Sequence, residues 1–225
     1  MQPFALFIFG PPGSGKSTQA ELVAREFGAA HLDTGGLLRS ILNDPSRQSD
    51  PKIQQEKVKH EVDGQLNDSV WVAGLIIEEA RKLSEAGSSI VFSGAMRTIF
   101  EAEIEMPVLK DLYGARIFYL TLEIHEDTTM FRNSHRRICS SCAKMYAWSP
   151  ETKNLQFCTA CGGPLATRTD DKPEVIKRRM QVYHQRTAPL FTYLQSQGIT
   201  AIAIDGEPVA DVVFQAIKTE LAKVL

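Results

Sequence analysis

Residues 10–17 read Gly-Pro-Pro-Gly-Ser-Gly-Lys-Ser and fit the pattern G-x-x-x-x-G-K-[ST]. A continuous apolar run at 4–9 precedes them, and apolar residues recur at helical spacing over 20–27. A buried strand, a glycine-rich loop and a helix in this order are typical of a P-loop, whose backbone N–H groups point at phosphate oxygens. The positive end of the helix adds to this attraction. The sequence therefore predicts a site for the phosphates of a nucleoside triphosphate.

Individual residues of this loop have predicted roles. The glycines let the backbone turn tightly, Lys16 reaches the β- and γ-phosphates, and the Ser17 hydroxyl is a candidate ligand of Mg²⁺. The predicted phosphate-binding residues are Gly13, Ser14, Gly15, Lys16, Ser17 and Thr18.

Strand-like and helical patterns alternate along the chain. Besides 4–9, short apolar runs that are typical of strands occur at 90–92, 117–122 and 200–204, and 30–33 is a short extended piece. Helical patterns separate these runs, and this alternation predicts a parallel, doubly wound α/β sheet.

Three segments carry more specific expectations. The pattern predicts a helix over 98–112 with a kink or break at Pro107. It also predicts one long helix from Pro173 to about Gln197. Residues 43–68 are polar and poor in core residues, so we expect a small excursion from the core there.

Composition excludes some functional classes. The net charge of the 225 residues is −2, which argues against a dedicated nucleic-acid binder. Apolar runs stay below the roughly 18 residues that cross a bilayer, and the run at 4–9 lacks the basic flank of a signal peptide. We expect a cytoplasmic protein with no membrane or nucleic-acid partner.

The four cysteines form two C-x-x-C pairs, Cys139 with Cys142 and Cys158 with Cys161. Four thiolates at this spacing predict a closed, tetrahedral Zn²⁺ site with a structural role. Free thiols or disulfides, and a nucleic-acid-binding zinc ribbon, are the alternatives. The acidic residues Asp170 and Asp171 beside the cluster argue against the zinc ribbon.

Several motifs resemble those of adenylate kinases and other nucleoside monophosphate kinases, in the form with a long, zinc-carrying lid. In chain order they are GPPGSGKSTQA at 10–20, HLDTGGLLR at 31–39, GAMRT at 94–98, RRICSSC at 136–142, CTACGGPLATRTDD at 158–171 and IDG at 204–206. The resemblance implies reversible transfer of the γ-phosphoryl group of ATP, with Mg²⁺, to a monophosphate, with AMP as the default acceptor. It also implies a monomer.

The resemblance further implies a division of the chain. A P-loop NTPase-like core with a parallel five-stranded sheet flanked by helices would comprise 1–38, 69–131 and 171–225. A helical insertion at 39–68 would bind the acceptor monophosphate, and a small zinc-binding lid would span 132–170.

The resemblance assigns site residues outside the P-loop. Arginines suit phosphoryl transfer because their planar fork contacts two phosphate oxygens. The implied catalytic residues are Lys16, Arg97, Arg132, Arg136, Arg168 and Arg179. The implied acceptor-binding residues are Thr34, Gly35, Arg39, Gly94, Arg97 and Glu101.

Two departures from the family pattern concern Mg²⁺. Gly36 and Ser93 stand where acidic residues are common, and their loss is expected to weaken Mg²⁺ positioning. We hypothesise that Ser17 compensates by binding the metal directly. The alternative is a nucleotide-binding protein with impaired catalysis.

A third departure concerns the acceptor base. Glu101 stands where adenylate kinases usually place a glutamine that reads adenine. A carboxylate only accepts hydrogen bonds, whereas a glutamine also donates them. GMP or CMP are therefore alternative acceptors, and a surface position for Glu101 is the alternative to a role in base reading.

Overall fold

The computed structural model describes residues 2–225 and contains one large parallel sheet and one small antiparallel sheet. The strands are β1 Ala5–Phe9, β2 Ala30–Asp33, β3 Ile90–Ser93, β4 Ile117–Glu123, β5 Arg137–Cys139, β6 Met145–Tyr146, β7 Leu165–Ala166 and β8 Ile202–Asp205. The α-helices are α1 Lys16–Phe27, α2 Thr34–Leu42, α3 Pro51–Glu61, α4 Ser69–Glu85, α5 Ile99–Tyr113, α6 Glu126–His135, α7 Pro173–Val182, α8 Ala188–Ser196 and α9 Ala210–Leu221.

The large sheet has five strands in the order β2-β3-β1-β4-β8, and all of its pairings are parallel. The predicted fold class is confirmed. β1 lies at the centre, and in its register Ile8 pairs with Ser93 on one side and Leu120 on the other. Because the strands are parallel, the loops that follow β1, β2 and β3 emerge at one edge, where ligands of such sheets bind.

Apolar residues of β1 alternate between two core layers. Phe7 and Phe9 pack on the face covered by α4, α5 and α8, and Leu6 and Ile8 pack on the face covered by α1 and α9. All five residues of β1 are buried, which explains the continuous apolar run. This two-sided core holds the P-loop between β1 and α1 in a fixed position.

The small sheet carries the cysteine pairs. Its strands are antiparallel in the order β6-β5-β7, within residues 137–166. Only Cys139, Tyr146 and Cys158 form its buried cluster. Such a small apolar cluster contributes little stability, so we expect a cross-link to stabilise this unit.

One helical expectation, a break at Pro107, was wrong. α5 continues through Pro107 instead of ending there. Pro107 lies on the exposed face of α5, and Glu103, whose carbonyl loses its partner, is also exposed. Solvent can satisfy that carbonyl, and packing of α5 on α4 outweighs the local cost.

The long helix predicted over 173–197 forms as a continuous helical segment with a local change of geometry. A π-helical stretch, Tyr183–Thr187, separates α7 from α8. The segment 43–68 contains the regular helix α3, and its Ile53 is buried in the main core. Asp50 caps α3 by accepting from the Lys52 N–H at 2.8 Å, with Pro51 at the first helical position.

Within residues 2–225, helices that combine the length and the apolar character needed to cross a membrane are absent.

Replacement of Phe7 by alanine tests the central layer of the core. The Phe7 ring lies 4.5 Å from the Phe92 ring and 5.4 Å from the Tyr119 ring, centroid to centroid. We expect Phe7→Ala to lower the free energy of unfolding by about 3–5 kcal/mol because it leaves a cavity among stacked rings. Chemical denaturation measures this. Phe100→Ala on exposed α5 surface is the control, and equal losses in the two variants would contradict this packing.

Candidate functional site

The P-loop has a backbone that requires glycine at specific points. Gly10 and Gly13 have φ values of 141° and 83°. A Cβ on Gly10 would lie 2.6 Å from the Leu122 carbonyl oxygen, and one on Gly13 would lie 2.5 Å from Asn133 Nδ2. The loop is therefore packed tightly against β4 and α6, and side chains at these positions would displace it.

Lys16 begins α1 and folds back over this loop. Its Nζ donates to the carbonyl oxygens of Gly10 at 2.8 Å and Pro11 at 2.7 Å. Ser17 and Thr18, in the first turn of α1, are exposed toward the cavity, whereas Ser14 is buried within the loop. The ammonium group is thus held at the mouth of the loop.

One cavity of about 560 Å³ joins the P-loop to the other predicted site residues. All the predicted phosphate-binding, acceptor-binding and catalytic residues line it: Gly13, Ser14, Gly15, Lys16, Ser17, Thr18, Thr34, Gly35, Arg39, Gly94, Arg97, Glu101, Arg132, Arg136, Arg168 and Arg179. They come from segments far apart in the chain, and the fold brings them together in one place.

Three of the arginines are held by two aspartates. Arg136 donates two hydrogen bonds to Asp171, each of 2.5 Å. Arg168 donates to Asp170 at 2.8 and 2.5 Å, and Arg179 donates to Asp170 at 3.1 Å. The forked pairs of Arg136 and Arg168, and the contact of Arg179 with Asp170, fix guanidinium groups that would otherwise repel one another.

The charges in this cluster shift several pKa values. Burial by itself would raise the pKa of Asp170, but Arg179, Arg168 and Arg136 outweigh burial and hold that pKa far below its usual range. Burial lowers the pKa of Lys16 well below its ordinary value, and repulsion from Arg97, Arg179 and Arg136 adds to this effect. The cavity is therefore strongly cationic, which favours binding of phosphate groups.

Arg132 and Arg39 have partners outside these aspartate pairs. Arg132 donates to the carbonyl oxygens of Gly206 at 2.8 Å and Glu207 at 2.7 Å, in the turn after β8. Arg39, on α2, lies 3.5 Å from the Asp33 carboxylate. The structure thus places Arg132 in the same cavity but against a different wall from Arg136, Arg168 and Arg179.

Glu101 is buried, with 2% of its surface exposed, so the alternative of a surface residue was wrong. Its Oε1 accepts from the Ser69 hydroxyl at 2.8 Å, and its Oε2 accepts from the Arg97 backbone N–H at 2.6 Å. Ser69 begins α4 and Glu101 lies in the first turn of α5. The two helices together orient this carboxylate at the cavity wall.

Sequence reasoning gave no site role to Asp33 or His60, which both line the cavity. Asp33 ends β2, and its Oδ1 lies 3.5 Å from Ser17 Oγ and 3.4 Å from Ser93 Oγ. Its place at the end of a strand, directly before the TG motif, was the available signal. His60 also lines the cavity, and burial lowers its pKa to about 4. Its segment was assigned as a whole to the acceptor-binding insertion, with no role given to His60.

The four cysteine sulfurs form one cluster, with their Sγ atoms all within 4.8 Å of one another. The Cys139 and Cys161 sulfurs are 3.4 Å apart and the Cys142 and Cys158 sulfurs 3.6 Å apart, so these are not disulfides, whose S–S distance is about 2.05 Å. A tetrahedral zinc with Zn–S distances of about 2.3 Å would space its ligands at roughly 3.8 Å. The four thiols fit a metal ion.

Comparison with known proteins agrees with this geometry. A family model described as adenylate kinase matches residues 8–199. The chain is 33% identical to a protein named adenylate kinase from Caldicellulosiruptor saccharolyticus, over 95% of this chain and 97% of the relative. The chain belongs to the adenylate kinase family. Like other members of the adenylate kinase family, it is a phosphotransferase with a nucleotide-binding P-loop.

Other relatives named adenylate kinase match over similar lengths. The relative from Carboxydothermus hydrogenoformans is 32% identical over 97% of this chain and 99% of its own. The relative from Chlamydia pneumoniae is 33% identical over 93% of each. The adenylate kinase likeness therefore includes the cysteine-bearing segment as well as the P-loop.

Proposed function

We propose that this chain transfers the γ-phosphoryl group of ATP reversibly to AMP. The observation that carries the proposal is the single cavity in which the P-loop, the arginine cluster and the predicted acceptor residues meet. A donor triphosphate on the P-loop and an acceptor beside Arg39, Arg97 and Glu101 would both contact this cavity. The names of the relatives favour AMP as the acceptor.

Charge stabilisation is the chemistry that the residues support. In phosphoryl transfer, negative charge spreads over the oxygens of the transferring group, and fixed cations stabilise it. Lys16 would orient the β- and γ-phosphates. Arg136, Arg168 and Arg179 would exchange part of their contact with Asp170 and Asp171 for contact with phosphate oxygens.

The proposal includes a division of labour between segments. We infer that 39–68 binds the acceptor, that 132–170 forms a lid, and that the remainder, 1–38, 69–131 and 171–225, is the core. Arg132 and Arg136 at the start of the lid segment, with Arg168 near its end, would respond to lid closure. Closure would exclude water, and so suppress hydrolysis of ATP.

Mg²⁺ is the cation that the family implies for ATP. The Ser17 hydroxyl, in the first turn of α1, is the predicted protein ligand, and Mg²⁺ prefers oxygen donors of this kind. When bound, the ion would neutralise charge on the β- and γ-phosphates.

A coupled assay with ATP, Mg²⁺ and each of AMP, GMP, CMP and UMP tests the proposed function. We expect turnover with AMP, and we expect Lys16→Ala to lower it by about 10²-fold or more because a cation on the transferring group is lost. The unfolding transition of that variant should be unchanged. Lys223→Ala, at the far end of the chain, is the matched control.

Failure of every acceptor despite ATP binding would contradict the proposal. That outcome would instead favour a nucleotide-binding protein with impaired catalysis, the alternative raised by Gly36 and Ser93.

A second candidate keeps the reaction but changes the acceptor to GMP or CMP. The buried Glu101 carboxylate favours it, since each of its oxygens already accepts one bond and retains a further lone pair. Guanine offers two donors, N1–H and N2–H, on one edge, and cytosine offers an amino group. Adenine offers one donor beside an acceptor that a carboxylate cannot satisfy.

Glu101→Gln tests this second candidate. Because an amide donates as well as accepts, we expect the ratio of kcat/KM for AMP to that for GMP to rise about three- to tenfold, the worth of one hydrogen bond. Glu103→Gln, on the exposed face of the same helix, is the control. An unchanged ratio would show that Glu101 does not read the base.

We also propose that the four cysteines hold a structural Zn²⁺. Four thiolates complete a tetrahedral shell and leave no position for substrate. Tyr146 supports the site, since its hydroxyl lies 3.3 Å from Cys158 Sγ. A Cβ on Gly163 would lie 3.0 Å from Cys139 Sγ, so glycine keeps this side of the cluster open.

Metal removal tests the zinc site. We expect about one zinc per chain by elemental analysis and a lower Tm after treatment with a strong chelator, because metal binding contributes folding free energy to so small a unit. Cys142→Ser should show the same loss, whereas Ser141→Ala should retain zinc. Identical melting with no bound zinc would contradict the proposal.

A further inference from the structure

We propose that Asp33 is the carboxylate that positions Mg²⁺ beside the triphosphate in this chain. The inference rests on the proposed function, since it takes ATP with Mg²⁺ as the donor. It assigns a positioning role to a residue that neither the P-loop pattern nor the arginine set includes.

Asp33 brings a carboxylate to the first turn of the P-loop helix. It ends β2, and its Oδ1 lies 3.5 Å from Ser17 Oγ and 3.4 Å from Ser93 Oγ. Ser93 ends β3 and pairs with Asp33 in register. Two hydroxyls and a carboxylate from three separate elements thus meet where the P-loop helix begins, and oxygen donors of this kind suit Mg²⁺.

The other carboxylates lining the cavity are already engaged at short distances. Asp170 accepts from Arg168 at 2.8 Å, and Glu101 accepts from the Arg97 backbone N–H at 2.6 Å. Glu207 accepts from the His125 backbone N–H at 2.6 Å. Among the cavity-lining carboxylates that the structure describes, Asp33 is therefore the one beside the P-loop that accepts no short hydrogen bond from these neighbours.

The contacts of Asp33 are all long. Besides the two serine hydroxyls, its Oδ2 lies 3.5 Å from an Arg39 nitrogen. At 3.4–3.5 Å each contact is at the outer limit of a hydrogen bond and contributes little. Asp33 also precedes α2 as its N-cap residue, but its side chain makes no capping hydrogen bond. Helix capping therefore does not explain the aspartate.

Gly36 fits this assignment sterically. A Cβ on Gly36 would lie 2.8 Å from Asp33 Oδ2 and 3.3 Å from Asp33 Cγ. The Asp33 side chain thus occupies the space that a side chain at 36 would need. An acid at 36, or at the paired position 93, would also place a second negative charge against Asp33. A single carboxylate at position 33, with none at 36 or 93, therefore avoids both the steric overlap and the charge repulsion.

ATP binding without any acceptor tests the role directly. Isothermal titration calorimetry of the full chain would compare ATP affinity with Mg²⁺ and without it. The Mg²⁺-free buffer should be passed over a chelating resin, since EDTA in the cell would strip metal from the cysteine cluster. The ratio of the two affinities is the readout, and it does not depend on turnover.

We expect Asp33→Asn to reduce the gain in ATP affinity from Mg²⁺ by about tenfold or more. Without Mg²⁺ the variant should bind ATP as tightly as the wild type or more tightly, because a negative charge beside the triphosphate is gone. Asp111→Asn is the matched control. It makes the same change on the exposed surface of α5, outside the cavity lining.

Two results would overturn the proposal. One is a Mg²⁺ gain in Asp33→Asn equal to that of the wild type. The other is a loss of affinity that is the same with and without Mg²⁺, which a purely structural role of Asp33 would produce.

A double variant tests whether one carboxylate can move between positions 33 and 36. Asp33→Ala removes the side chain that fills the space at 36, so Gly36→Asp added to it should recover part of the Mg²⁺ gain. No recovery, with ATP binding intact, would contradict the exchange of one carboxylate between these positions. Lack of turnover by the wild type would defeat the proposed function while leaving the affinity ratio a valid test of Asp33.

Discussion

The convergence of cations on one cavity is the constraint on which the rest of the site depends. Burial lowers the pKa of Lys16, and repulsion from Arg97, Arg179 and Arg136 lowers it further. Proteins hold such groups together only when anions satisfy them. Asp170 and Asp171, in the turn before α7, supply such anions to Arg136, Arg168 and Arg179. The carboxylates thus preorganise the arginines for phosphate.

The parallel sheet decides where this charge is placed. Because β1, β2 and β3 all end at one edge, the P-loop, Asp33 and Ser93 become neighbours although they are far apart in the chain. The loop is packed so closely against β4 and α6 that Gly10 and Gly13 have no room for a side chain. A rigid phosphate cradle and its adjoining carboxylate therefore follow from topology as much as from the motif.

The small antiparallel sheet lines part of the cavity but has little apolar core of its own. It presents Met145 and Trp148 to the same cavity, yet its buried cluster has only Cys139, Tyr146 and Cys158. These few apolar contacts contribute little stability. A metal ion held by the clustered cysteine thiols would supply the cross-link that stabilises the unit. Its attachment through residues near Arg136 and Arg168 couples the position of this unit to the arginine cluster.

Much of the fold and part of the site could be predicted from the sequence, because the signals were local. The order of strand, loop and helix around residues 10–17, the alternation of apolar runs and the spacing of the cysteines each lie within short segments. Each depends on backbone geometry or ligand spacing, and chain neighbours largely determine both. The sequence by itself therefore determined the α/β class, the phosphate cradle and the clustering of the thiols.

Only the tertiary structure decided the features that rest on distant contacts. Glu101 is buried because Ser69, on another helix, donates to it, and α5 tolerates Pro107 because that proline faces solvent. Arg132 binds the turn after β8 rather than the arginine cluster. Asp33 meets Ser17 and Ser93 because three parallel strands end at one edge. Short-range patterns cannot show these contacts, since their partners are many residues apart and packing alone brings them together.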